Sequence, residues 1–566
     1  MTVEEQYRIR SEEYADFIIE YGYNPQILEA FGDAVVHIIN DAFAVIHIPL
    51  ALITEDLLIQ FSYAIIPNIC GLTSDVSIRA SGVDNLRRLP AFNMFGSGVL
   101  IGIVDTGIDY LNPIFQNANG TTKIISIWDQ TIPSATAYPF QTYYGTEYLE
   151  EQINLALISD NPFDIVPSMD EIGHGTMMAG VAAGTANNEA QFQGAAPESR
   201  LVIVKLAQAK QYLRDFYFIP RDAVSYQEND IMWGVQYCIL TARRVGMPIA
   251  ICLGLGTSQS SHAGDSNLSN FLSFVGNYTN VGIVVSAGNE GNLGRHFFRM
   301  IDPDQISFPV ELYVAEGDRN FSMELWGEAP ARFSVDILSP GGEYIPIITA
   351  GLNINRRISF IFEETVIYIN FQLVETLTGN QLILFRFSNI STGIWRFNVY
   401  SQTNLSAGFH IWLPMGDFIS ERTYFIQSDT YTTVLDPGNS FVPITVTAYN
   451  PFTQNIYEYA SRGYTSVNVV KPELAAPGVN YVAPALNNEF IRYTGTGVSA
   501  AHTCGLVALF LEWAVIRGNE EFVNTMIIKS YFIRGASRDA TQVYPNRIFG
   551  YGLIDIFNVF NILRTL

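Results

Sequence analysis

VLIGIVDTGID, residues Val99 to Asp109, is the stretch from which the rest of the chain is read. A run of apolar residues with no polar alternation describes a strand covered on both faces, as in a parallel sheet with helices above and below. Asp105 closes the run, at the C-terminal edge where such a sheet opens its binding crevice, and Gly107 lets the chain turn away. LVIVKL (Leu201 to Leu206) and PIAICLGLG (Pro248 to Gly256) repeat the pattern. The helix NDIMWGVQYCILTARR, with Ile231, Val235, Cys238 and Ala242 on one stripe, leads directly into the second, as a β-α-β crossover requires.

Two regions depart from this pattern. AVVHIIN, AFAVIHIP, a helical stretch ALITEDLLIQFSY and a further strand in YAIIPNICG describe a small N-terminal α+β unit. Between about Leu293 and Ser428, strands such as FSMELWG, LILFRFS and IWRFNVYS alternate with turn residues, and Trp395, Phe397 and Val399 share one face. That pattern predicts an inserted antiparallel β sandwich, jelly-roll-like. The expected organisation is an N-terminal unit over 1–75, an α/β domain over 76–292, the insertion over 293–428, and the rest of the α/β domain over 429–566.

Composition excludes several functions. With 55 acidic and 31 basic residues the net charge is -24, so nucleic acid and anionic membranes are repelled. Cys70, Cys238, Cys252 and Cys504 sit in apolar settings without metal-ligand spacing and read as buried free thiols. No clustered Asp and Asn loop suggests calcium, and no cofactor or metal is expected. The acidic start MTVEEQYRIRSEEYADF is not a signal peptide, and the apolar run Leu506 to Ile516 carries Glu512 and is too short to span a bilayer. A soluble chain without a membrane span is expected.

The chemistry gathers at four places. Asp105 ends its strand; GHGTMMAGVAAG places His174 at the start of a helix of small residues; VVSAGNEG leaves Asn289 in a glycine-flanked turn; and GTGVSAAHTCG opens a late apolar helix. Singly, these are a turn-forming Asp, a structural His and an Asn turn. In this order they resemble the subtilase family of serine proteases. FQGAAPESRLVIVKL, ICLGLG and VKPELAAPGV add smaller landmarks, and the resemblance covers Ala80 to Asn292 and Ser428 to Leu566.

The resemblance implies a doubly wound, mostly parallel α/β sheet. It assigns Asp105 to orient the imidazole, His174 to act as general base, and Asn289 to donate into an oxyanion hole. It makes Gly254, Leu255 and Gly256 the edge that pairs with an extended peptide. The family's nucleophile motif is Gly-Thr-Ser-Met-Ala; Gly495 and Thr496 match it, as do His502 and Gly505 further on, but Gly497 occupies the serine position. Ser499 lies two residues on, about 200° around a helix, and is expected to face away. In subtilisin, loss of the serine alone costs about 2 × 10⁶ in turnover, roughly 8–9 kcal/mol.

In this family the N-terminal α+β unit is a prodomain that the enzyme cuts off itself. Without the serine the cut is not expected, and the segment from Ile66 to Asp75 should stay in the cleft. A retained prodomain with a sandwich before the nucleophile resembles the Csp germination subtilases of clostridial spores, and Gly497 places the chain nearest their inactive CspC type. That likeness implies a spore protein whose partners are other germination proteins, namely an active Csp protease or a cortex-hydrolase precursor, or a small germinant. An endopeptidase, active or inactivated by mutation, that processes a cortex-hydrolase precursor is the alternative, and a structural coat protein a third.

Overall fold

The computed structural model describes residues 2–32, 34–53, 57–76, 94–134, 136–352, 354–403 and 405–563. The start of the family resemblance at Ala80 therefore lies outside the described residues.

At the centre is an eight-stranded sheet in the order 474–477, 444–449, 281–286, 249–253, 100–105, 200–205, 124–129 and 146–149. The first seven strands run parallel; the last pairs antiparallel with Ile124–Asp129. The strand Leu100–Asp105 shows why its sequence does not alternate. Ile101 and Ile103 enter a core built on the helices His174–Ala183 and Thr496–Leu511, while Leu100 and Val104 enter another built on Glu228–Val245 and Asn267–Val275. Both faces are covered, so both sets of side chains are apolar.

The helix expected to open at GTGVSAAHTCG starts at Thr496, ten residues before the most apolar run, Leu506 to Ile516. Thr496–Leu511 continues as a π turn to Ile516, and this stretch has the length and hydropathy to cross a membrane. Most of it is buried in the sheet's core. Its first turns, TGVSAAHT, are small residues that lower the apolar signal while letting the helix pack closely on the sheet.

The N-terminal unit opens with helix α1 (Val3–Arg10), capped reciprocally by Thr2 and Glu5. Its antiparallel sheet comprises β1 (Tyr14–Glu20), β2 (Val35–Ile38) and β3 (Phe43–Pro49) in the order β1-β3-β2. Ile18, Phe43 and Val45 pack with Leu268 and Phe271 on the outer helices of the body. An ionic cluster pins the same interface: Asp16 accepts from Lys210 Nζ and His47 Nδ1, each at 2.7 Å, and from Gln227 Nε2. Burial pushes the Asp16 carboxyl up, but Lys210 and His47 outweigh it and hold it well below the usual carboxylate range. The helix expected over 51–63 is not formed as one piece. Ile53 is extended, Leu57–Gln60 is a single turn, and Ser62 caps a 3₁₀ turn at Tyr63–Ile65 with its hydroxyl on the Ala64 N–H. This capping bond competes with helix continuation.

Between His296 and Phe425 lie a six-stranded and a five-stranded antiparallel sheet, each pairing only within itself. Phe297, Ile383 and Phe385 of one meet Leu312, Trp395, Phe397 and Val399 of the other in a shared core. This insertion touches the N-terminal unit, where Tyr63 donates to Glu324 at 2.7 Å and Ser62 bonds Thr376 at 2.8 Å.

Candidate active site

Asp105 and His174 reach each other across the end of the sheet. The His174 Nδ1 to Asp105 Oδ1 distance is 2.8 Å, both residues are buried, and Asp105 Oδ1 also accepts from the Thr106 N–H. His174 begins its helix after Gly173, whose φ of 89° lies in the left-handed region that favours glycine. Asp170, four residues before the histidine, was not singled out by sequence. Its Oδ1 accepts from Thr106 Oγ1, Ile172 N and Gly173 N, and its Oδ2 from Thr176 N and Thr176 Oγ1. A carboxylate at a helix N-terminus satisfies the orphan amide donors and suits the helix dipole. The only signal in SMDEIGHGT is an Asp placed before a helix start with a Thr two residues after the His.

A neighbouring glycine is required for a steric reason. A Cβ on Gly254 would lie 2.9 Å from His174 Cε1 and 2.7 Å from Met178 Cε, so the bare backbone at 254 lets the imidazole lie against the edge strand.

The second half of the site is the N-terminus of the Thr496–Leu511 helix. Asn289 Oδ1 accepts from the Thr496 N–H at 3.1 Å, and Thr496 Oγ1 accepts from the Gly288 N–H. With its orientation fixed this way, Asn289 donates from Nδ2 to the carbonyl oxygen of Thr73 at 2.6 Å. The Gly497 N–H donates to the same oxygen at 3.2 Å. Two donors converging on one carbonyl oxygen form the geometry of an oxyanion hole. The residue supplying the second donor has no side chain, so no hydroxyl stands at 497 to attack the adjacent carbon. Ser499 does not replace it. Buried and on the other side of the helix, it donates to the Ala476 carbonyl at 3.0 Å.

Thr73 belongs to an extended segment that runs through the whole cleft. On one side of it, β4 (Ile69–Leu72) lies between two short strands, Leu72 and Gly71 opposite Leu255 and Gly256, and Cys70 and Ile69 opposite Tyr226 and Gln227. On the other, β5 (Ser74–Val76) pairs with Phe490–Gly495, Ser74 opposite Gly495. Thr73 donates from its N–H to the Gly254 carbonyl at 3.1 Å, and from its hydroxyl to the same oxygen at 2.7 Å. The Thr73–Ser74 peptide bond thus sits at the centre of the site. Sequence reading did not single out Thr73, and nothing within ICGLTSDV distinguishes it. Glu228 anchors the entrance, accepting from the Asn68 and Leu268 N–H groups; burial pushes its carboxyl up to about 7 against those bonds.

Among the described residues all four cysteines are free and buried, and no group of three or more His, Cys, Asp or Glu is placed to hold a metal. The fold, the Asp105–His174 pair and the double donor on Thr73 are those of a subtilisin-like protease. The subtilase family model matches residues 96–311 and 391–552, more than half of the chain, and the protein belongs to that family. Its fold is similar to the CspB protease of Clostridium perfringens, with a TM-score of 0.75 and 27% identity over 84% of this chain and 97% of that one. Among curated relatives, subtilisin-like protease SBT3.17 of Arabidopsis thaliana is 23% identical over 453 residues, 73% of this chain and 54% of its own length. The C5a peptidase of Streptococcus pyogenes serotype M3 is 21% identical over 450 residues, which is 35% of its length. The chain spans about half the length of SBT3.17 and less of the C5a peptidase.

Proposed function

We propose that this chain is a non-catalytic subtilase, a pseudoprotease of the CspC type, that keeps its N-terminal unit as an uncut prodomain and regulates germination in a bacterial spore. In this reading Asp105, His174 and Asn289 are the remnants of the catalytic machinery and Gly497 is its degenerate nucleophile. Gly254, Leu255 and Gly256 are the substrate edge, occupied by the chain's own segment. The partners are an active Csp protease, a cortex-hydrolase precursor or a small germinant.

The observation that carries the reading is the pairing of Gly497 with Thr73. The group that receives a scissile carbonyl is complete, the Thr73 carbonyl rests in it, and the attacking atom is missing. Similarity to the CspB protease supports the subfamily. Its test is peptide hydrolysis by the full-length chain, with reactivity toward a fluorophosphonate serine probe. Neither is expected above the background of a Ser-less site; labelling of the chain would overturn the reading.

A second reading, an endopeptidase silenced at one position, draws support from the intact 2.8 Å Asp105–His174 bond. On that reading Gly497→Ser yields an enzyme that cleaves other proteins as well as itself. On the first, the revertant cuts itself once, after Thr73, and the natural chain acts through binding.

A further inference from the structure

Two positions of the segment in the cleft meet side chains that neither hold the imidazole nor serve the Thr73 carbonyl. The first is Thr73 itself. Ser286, buried at the end of the strand Val281–Ser286, places its hydroxyl 2.8 Å from Thr73 Oγ1. Thr73 Oγ1 gives its single proton to the Gly254 carbonyl, so in the bond with Ser286 it accepts and Ser286 donates. A hydroxyl at 73 thus meets one donor and one acceptor of the cleft. A methyl in its place strands the buried Ser286 donor and takes a bond from the Gly254 oxygen.

The second position is Gly71, where the insertion supplies a roof. A Cβ on Gly71 would stand 3.3 Å from Met415 Cε, Met415 Sδ and Phe418 Cζ together. Met415 and Phe418 are buried, at the 3₁₀ turn Gly416–Phe418, and a longer side chain at 71 forces both to shift. A buried ion pair fixes this roof to the turn that carries Asn289. Glu290 accepts from Arg295 Nη1 at 2.7 Å and from the Gly416 N–H at 3.1 Å, and Arg295 Nη2 donates to the Ile419 carbonyl at 2.9 Å.

We propose that the cleft selects its occupant by the pattern Gly-x-Thr or Gly-x-Ser, with Ser286 reading the hydroxyl and Met415 and Phe418 excluding a side chain two residues before it. Leu72, between them, is only partly buried and is left open in the pattern. The inserted sandwich thereby takes part in recognition, and a segment of another protein must meet both conditions to replace the chain's own. The inference rests on the proposed reading that this segment stays uncut in the cleft.

The test is hydrogen exchange over residues 69–73 of the full-length chain, after its intact mass is confirmed, in the natural protein and in variants at 71 and 73. Local opening of the segment sets the exchange rate. Thr73→Val and Gly71→Leu are each expected to speed exchange at least about tenfold, while Thr73→Ser keeps most of the protection. Ser286→Ala should shrink the Thr73→Val effect, and Met415→Ala or Phe418→Ala should return part of the protection lost in Gly71→Leu. Thr73→Val no faster than Thr73→Ser, or a Gly71→Leu effect that neither roof variant reduces, overturns the proposal. A natural chain already cut after Thr73 overturns the uncut reading instead, and the same exchange measurements on the docked segment still decide the pattern.

Discussion

The two helices that meet at the cleft keep different parts of one machine. At the start of His174–Ala183, the side chains are complete: Asp105 holds the imidazole, and Asp170 ties the preceding loop and first turn with five hydrogen bonds. At the start of Thr496–Leu511, the backbone and its Asn289 brace are complete, and the one reacting side chain is absent. Gripping a peptide needs main-chain donors and a glycine-lined edge; cutting it needs an oxygen as well. The first requirement is met here without the second, so binding at this site is separable from chemistry.

The comparison breaks first if the His174 half is not a rigid, self-supporting unit. Asp170→Ala strands several buried donors and should cost roughly 3–5 kcal/mol of stability, read as a large drop in Tm. An unchanged Tm would mean that the preserved half is held by something else.

A pH titration sharpens the account of the segment's entrance. Glu228 sits at about 7 in the folded chain against an ordinary value of 4.5. Between those values the folded state keeps a proton that the unfolded state has released, so stability falls as pH rises from about 4.5 to 7, by up to ~1.4 kcal/mol per pH unit, and levels off above. Glu324, at about 7, and Asp265, at about 6, titrate in the same window with the same sign, so in Glu228→Gln the fall should become shallower by the Glu228 share; denaturant unfolding at stepped pH checks it.

The smallest effect separates the halves most cleanly. Asn289→Ala removes one donor from Thr73 and should weaken the hold on the segment by about 1 kcal/mol, raising hydrogen exchange at the Thr73 amide severalfold. Asp105→Asn, which keeps the shape of the other half, should leave that exchange unaltered. Equal effects from both would erase the distinction.

Much of this was legible from sequence because the decisive residues sit where strands end and helices begin. Asp105, His174, Asn289 and Gly497 each have a glycine within two residues and an apolar run behind or ahead. Asp170 escaped because three of its five bonds come from backbone N–H groups, which carry no signature, and the other two from threonine hydroxyls that look like any others. Thr73 escaped because its place is set by its neighbours, Leu72 pairing with Leu255 and Ser74 with Gly495, residues remote in sequence. The 51–63 stretch read as a helix because its apolar residues have the right period, while the local bond from Ser62 that ends helical pairing looks like any serine.

The central claim is that one missing oxygen separates this chain from a self-cutting protease. The measurement that tests it most directly is the intact mass of the purified natural chain beside Gly497→Ser, each made in a host and buffer free of other proteases. The account predicts a full-length natural chain and a revertant split after Thr73, with Gly497→Ala as uncut as the natural protein. A natural chain already cleaved at that bond, or a folded revertant that stays whole, would contradict it.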